Sequence, residues 1–225
     1  MPLSSILSTA DNDWLGATKN NKKMIKDCLI INCTGKDDTI ALKINNKFFL
    51  KKLQTNIIKY EALSLAVLDF TKEHNVEIDQ KFSILVNSGP GSFSGIRIAL
   101  AVTKGIKLVK KLSIYSYNDF VLNASSHLKK SKTLISIIKT NNFYYYSEGY
   151  MSKNFKFSSP EKLDSSYLGA NKSLVVIPEE LKNDDIFRNM DKKKVCIAEF
   201  NLQNVNILIE NNLLENKLIK PLYLS

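Results

Sequence analysis

Two periods of apolar residues divide the chain. Residues 28–32 (CLIIN) form a short apolar run of buried-strand character. Residues 39–44 alternate as a strand does, and residues 47–52 are placed to pair back on them across Asn45–Asn46. From Asn56 to about Lys72 the spacing turns helical. Ile57, Ile58, Leu63, Leu65, Val67, Leu68 and Phe70 go most of the way round that helix, wider than one core-facing stripe. A second buried strand is expected at 82–86, a second helix at 92–112, a short strand at 113–115 and a third helix from 118 to about 129. The later half repeats the theme with strands at 133–138, 143–150, 173–177 and 194–198, a final helix from 199 to about 214, and a short tail at 221–225. An antiparallel meander followed by alternating strands and helices predicts an α/β fold in two lobes, residues 24–116 and 117–225. Residues 1–23 are polar, carry no periodicity and hold Trp14, the single tryptophan. They read as a flexible extension, or as an upstream start before the true one at Met24.

Composition narrows the classes. With 225 residues and 44% hydrophobic content the chain can bury a sizeable core, yet no apolar run is long enough for a membrane span. The first residues lack the basic and apolar regions of a secretory signal, so a cytoplasmic protein with no membrane partner is expected. The three cysteines, Cys28, Cys33 and Cys196, are odd in number and read as small buried thiols rather than metal ligands, and no metal site is expected. His74 and His127 form no HxxxH or HExxH pair and read as surface histidines. The net charge of +10 suits a nucleic-acid pathway. Lys104, Lys107, Lys110 and Lys111 recur at helical spacing and read either as an RNA contact or as a solvated helix end that complements the dipole.

Residues 87–100 (NSGPGSFSGIRIAL) are the strongest local signal. Gly89 and Gly91 flank Pro90 in a sharp exit from the strand. Ser92 or Ser94 can cap the helix, and Gly95 lets it lie close against a neighbour. A helix N-terminus of this kind can hold an anion, but the loop lacks a Walker lysine and the GxGxxG spacing. On the residues alone, tight packing and phosphate contact both stay open. No GxSxG elbow, CxxC or convincing carboxylate pair accompanies the loop, so no catalytic residue is nominated.

GPGSFSGIRIALAVTKGI resembles the GPGSFTG-[LIV]-R-[IV]-G signature of the TsaB family, also called YeaZ. LIINCTGKDDTIALKINN is similar to that family's opening ILAIDTA…SVAL, LISIIKTNNFYYYSEGY to its IDARxGEVYxAxY segment, and IKPLYLS to its closing EPVYLR. The likeness spans roughly residues 26–225 and is strongest at 84–106. It implies an actin-like ATPase (ASKHA) fold of two lobes, each a mixed β-sheet with flanking helices. It also implies a non-catalytic scaffold in tRNA threonylcarbamoyladenosine formation, which activates the catalytic subunit TsaD in transfer to the adenosine beside the anticodon. A TsaE-like ATPase and, through the complex, tRNA are the further partners implied, with a homodimer when the chain is alone. No intrinsic cofactor is implied; ATP or ADP at the partner interface is left open. The chain departs from the pattern at Asn32, where the superfamily usually carries a metal-holding Asp, at Tyr60, where many relatives have His, and at Lys139, which replaces the Asp of the central segment. An amide is a poor magnesium ligand, so these changes weigh against an independent nucleotide-hydrolysing site.

The resemblance places partner contact on the two helices of the first lobe. The expected interface is Phe93, Ile96, Arg97, Leu100, Ala101 and Lys104, with Leu63 and Val67 from the first helix. Small residues Ala99, Ala101 and Gly105 would permit close approach in a four-helix arrangement. The loop of Gly89, Pro90, Gly91, Ser92, Ser94 and Gly95 would set the junction of strand and interface helix. Two other classes compete. One is an actin-fold ATP-binding transferase, or a peptidase-like enzyme, acting on its own with the loop on phosphate. The other is a stand-alone RNA-binding module using the tyrosines 144–146 as a stacking platform.

Overall fold

The computed structural model describes residues 25–35, 38–53, 60–140, 142–170, 172–188, 190–199, 203–216 and 219–224. The segment 1–23 with Trp14, and Ile57 and Ile58, lie outside them. Three strands open the fold: β1 (Cys28–Asn32), β2 (Thr39–Ile44) and β3 (Lys47–Lys52). Asn45 and Asn46 both take positive φ, 49° and 64°, the two-residue turn geometry whose twist matches paired strands. Helix α1 (Tyr60–Glu73) leads to β4 (Ser83–Asn87), then α2 (Phe93–Lys110), β5 (Ser113–Tyr117) and α3 (Asp119–Ser125). The first sheet has the order β3-β2-β1-β4-β5, antiparallel on the β2 and β3 side and parallel from β1 through β5.

The second sheet holds β6 (Thr133–Thr140), β7 (Phe143–Met151), β8 (Phe155–Phe157), β9 (Glu161–Lys162), β10 (Leu174–Ile177) and β11 (Val195–Ile197). Its order is β11-β10-β6-β7-β8, with β9 pairing to β7. Short helices α4 (Ser165–Ala170) and α5 (Asp185–Arg188) and the longer α6 (Gln203–Glu210) complete the chain. Strand alternation explains the layering. Leu29 and Ile31 point to a core under α1 and α2, while Cys28 and Ile30 point to a second core with Val121 of α3 and Leu208 of α6. Ile135 and Ile137 of β6 pack with Leu168 and Phe187 on the far side of the second sheet, and Leu134 packs back toward Ala124 and Leu128. Helices α3 and α6 also touch one another. The layers therefore run helix, sheet, shared helices, sheet, helix, the expected actin-like arrangement of two mixed sheets with flanking helices. No helix among the described residues is long and apolar enough to cross a membrane.

Several expectations need correction. The third helix ends at Ser125 rather than near 129, and the last runs only over Gln203–Glu210. His127 is not on the surface: it is 3% exposed, and its Nε2 lies 2.8 Å from the Ile197 carbonyl. The chain just after α3 bends inward and carries the ring against the second sheet. His74 is half-buried, its ring 4.2 Å from Phe49 and 4.8 Å from Phe70 between centroids. Cys28 and Cys33 are buried and free, and burial pushes both thiols up to about 12.

Candidate functional site

The glycine loop is held from two sides. Ser92 donates its backbone N–H to the Thr34 carbonyl at 2.7 Å, and the Ser92 hydroxyl caps α2 by accepting from Gly95 N at 3.2 Å. The sequence left Ser92 and Ser94 as alternative caps; the structure uses Ser92. A Cβ on Gly91 would stand 2.2 Å from the Thr34 carbonyl oxygen, and one on Gly95 2.3 Å from the Cys33 oxygen. Both glycines are therefore there for contact with the β1–β2 turn. On the opposite side Leu222 N donates to the Ser88 carbonyl at 2.8 Å, and Gly89, at φ 110°, faces the Leu222 oxygen. Two of the backbone amides at this helix start, Ser92 N and Gly95 N, are already engaged. The contacts of Gly91 and Gly95 with the β1–β2 turn agree with the packing reading of the loop.

Below the loop lies a polar knot. Asn87 donates to Asn32 Oδ1 at 3.1 Å and to Asp119, and Thr34 also donates to Asn32 Oδ1. Asn32 is thus occupied as an acceptor inside the protein. It borders a cleft of about 380 Å³ between the lobes, whose lining includes Asp119, Lys139, Glu179 and Glu180. Lys139 is the one cation among the described lining residues. Its ammonium is 2.9 Å from Asp184 and 5.0 Å from the Tyr144 ring. A nucleotide phosphate would meet carboxylates there and a lysine already paired.

The tyrosines 144–146 form no exposed platform. Tyr145 is 5% exposed. Tyr144 and Tyr146 pack against the far core and donate their hydroxyls to Asp184 (2.6 Å) and Glu161 (3.0 Å). Hydrogen bonds from the Tyr144 hydroxyl, then from Lys139, hold the Asp184 carboxyl below its ordinary value of 3.8. A depressed folded-state pKa contributes stability above the unfolded value and loses it as pH falls through the folded one. In melting scans, Asp184→Asn is expected to lower the melting temperature at pH 7, with the difference from wild type closing below about pH 4. A difference that persists to pH 2 would show that the carboxylate charge is not what the site uses.

The two interface helices divide differently from the sequence expectation. Ile96, Leu100, Leu63 and Val67 are only 0%, 4%, 1% and 2% exposed and sit inside the first core. They hold α1 and α2 to the sheet and have no surface left for a partner; Ala99 is likewise enclosed. Phe93, Arg97, Ala101 and Lys104 do face outward, and Leu108 continues that row at the three- and four-residue steps of one helix face. Leu65 and Leu68 of α1 and Leu108 and Val109 of α2 are each more than half exposed. These residues were missed as interface candidates, although the step from Phe93 to Leu108 is readable once the core side of α2 is known. The face is rimmed by cations: Arg97, Lys104, Lys107 and Lys110 are all exposed. Phe93, the glycine loop and the polar knot thus lie together at the start of α2, and the outward row runs from there along the helix to Leu108.

No protein-family model matches the chain. It is 28% identical over 199 residues to the tRNA threonylcarbamoyladenosine biosynthesis protein TsaB of Buchnera aphidicola subsp. Baizongia pistaciae, covering 80% of this chain and 89% of that one. Among solved structures, YeaZ from Pseudomonas aeruginosa superposes with a TM-score of 0.62 at 16% identity, covering 88% of this chain and all of that one. A second structure, described as similar to the peptidase YeaZ from Pseudomonas aeruginosa, gives the same TM-score and identity over 89% of this chain. These two show the fold; the sequence match adds a likeness to TsaB over most of the chain. The chain is similar in sequence to a TsaB protein and shares its fold with YeaZ.

Proposed function

We propose that this chain is a scaffold subunit in tRNA threonylcarbamoyladenosine biosynthesis, the pathway named for its Buchnera relative, and that it docks and activates a TsaD-type catalytic subunit. The observation that carries this is the outward row on α2 with Leu65 and Leu68 of α1, a face on adjacent helices where exposed apolar residues stand among cations and which the described residues leave uncovered. Such a face fits two helices of a partner in a four-helix arrangement. A TsaE-type ATPase and tRNA join through the assembled complex, and without its partner the face pairs with a second copy about a two-fold axis. The stand-alone enzyme reading draws no support from the cleft, where Asn32 and Lys139 are bound within the protein.

Co-expression with the TsaD-type subunit of the same organism tests the proposal. A one-to-one complex is expected by size exclusion with light scattering, and the homodimer signal should fall as the partner is added. Two proteins that elute separately at micromolar concentration contradict it.

A further inference from the structure

The final segment of the chain returns to the first lobe. Ile219 packs against the core under α1 and α2, and Leu222 N is tied to the Ser88 carbonyl at 2.8 Å. Next to that tie, Tyr223 lies on Phe93 with ring centroids 5.0 Å apart and planes 28° from parallel. On the same helix, Arg97 places its guanidinium 4.9 Å from the Phe93 centroid. The three groups make a stack at the start of α2. Phe93 is still 57% exposed and Tyr223 48% exposed.

We infer that Tyr223 is a positioning residue for partner docking: it fixes Phe93 as a preformed anchor at one end of the docking face. The inference rests on the docking reading above. Phe93 is the first residue of α2, so its ring lacks a preceding helical turn to hold it. Unstacked, it would move among rotamers, and a partner would have to order it on binding. Contact with Tyr223 and Arg97 supplies part of that ordering beforehand, which lowers the cost of association. Offset aromatic and cation–π contacts favour this geometry, and rigid aromatic and arginine anchors concentrate interface energy. The cationic rim of Arg97, Lys104, Lys107 and Lys110 points to a partner with carboxylates around an apolar seam. A second copy would bring the same cations back against themselves, so the self-paired form yields to such a partner.

The test compares Tyr223→Ala, Tyr223→Phe and Ala101→Glu in the full chain, by titration against the TsaD-type subunit and by melting. Tyr223→Ala is expected to weaken binding about 10- to 30-fold with the melting temperature within about 2 °C of wild type. Tyr223→Phe, which keeps the ring, should bind within about threefold. Binding by Tyr223→Ala within twofold of wild type, while Ala101→Glu no longer binds, overturns the inference and leaves the docking reading standing. Undiminished binding by Ala101→Glu overturns both. A loss in Tyr223→Ala matched by a fall in melting temperature above about 5 °C, or a Tyr223→Phe variant as weak as Tyr223→Ala, assigns the side chain another role and overturns the inference.

Discussion

If the proposed docking holds, Ala101→Glu is expected to give a folded protein that binds a TsaD-type subunit about a hundred to a thousand times more weakly. Ala101 stands exposed midway along the outward row of α2, between Arg97 and Lys104. In the free chain the new carboxylate reaches water and has cations four residues before it and three after, so the helix should be unharmed. In the complex the same carboxylate would be sealed in an apolar seam, and its neighbours would be drawn from whatever acids the partner presents. Burying a poorly compensated charge costs several kcal/mol, and about 1.4 kcal/mol is a tenfold change in affinity. Circular dichroism and a binding titration together read the result. An unfolded variant would place residue 101 in the internal core, and a tightly binding one would place the interface elsewhere.

Gly95→Ala is expected to destabilise the chain by about 2–3 kcal/mol, where helix propensity alone predicts the opposite sign. In an exposed helix interior, alanine is favoured over glycine by about 1 kcal/mol. Here the added methyl would meet the Cys33 carbonyl oxygen at 2.3 Å. That oxygen belongs to backbone at the exit of β1, flanked by a fully buried strand. Relief therefore requires α2 to move off the sheet, which carries the usual cost of overpacking. A fall in melting temperature of about 5–10 °C is the expected reading. An unchanged or raised value would mean that the loop is looser than its contacts indicate.

The parts of the fold that were legible in sequence are those fixed by local chemistry. The Asn45–Asn46 hairpin, the fully buried β1 and β4, and the capped start of α2 all follow from residues within a few positions of one another. The short elements β8, β9, α4 and α5 were not read, because each has too few residues for a period to show. The docking face was half legible. Apolar excess on α1 and α2 was visible, but an all-round apolar helix does not tell which side meets its own sheet. Ile96, Leu100, Leu63 and Val67 were therefore assigned outward when the core takes them, and Leu65, Leu68 and Leu108 were passed over. His127 was misread for a related reason, since a polar sequence neighbourhood says nothing of a strand 70 residues away. The stack of Tyr223 on Phe93 had no sequence signal: it joins residues 130 positions apart through the return of the tail.

The central claim is that the chain does no chemistry of its own and enables a partner that does. The direct measurement is threonylcarbamoyl transfer to the adenosine beside the anticodon, followed by mass spectrometry of the tRNA nucleosides. It is run with the threonylcarbamoyl-adenylate supplied, the TsaE-type ATPase and ATP present throughout, and this chain alone, the TsaD-type subunit alone, or both. The account predicts modified adenosine only when both are present, and its loss when Ala101→Glu replaces the wild-type chain. Modification by this chain without the TsaD-type subunit, or full modification by that subunit without this chain, would contradict it.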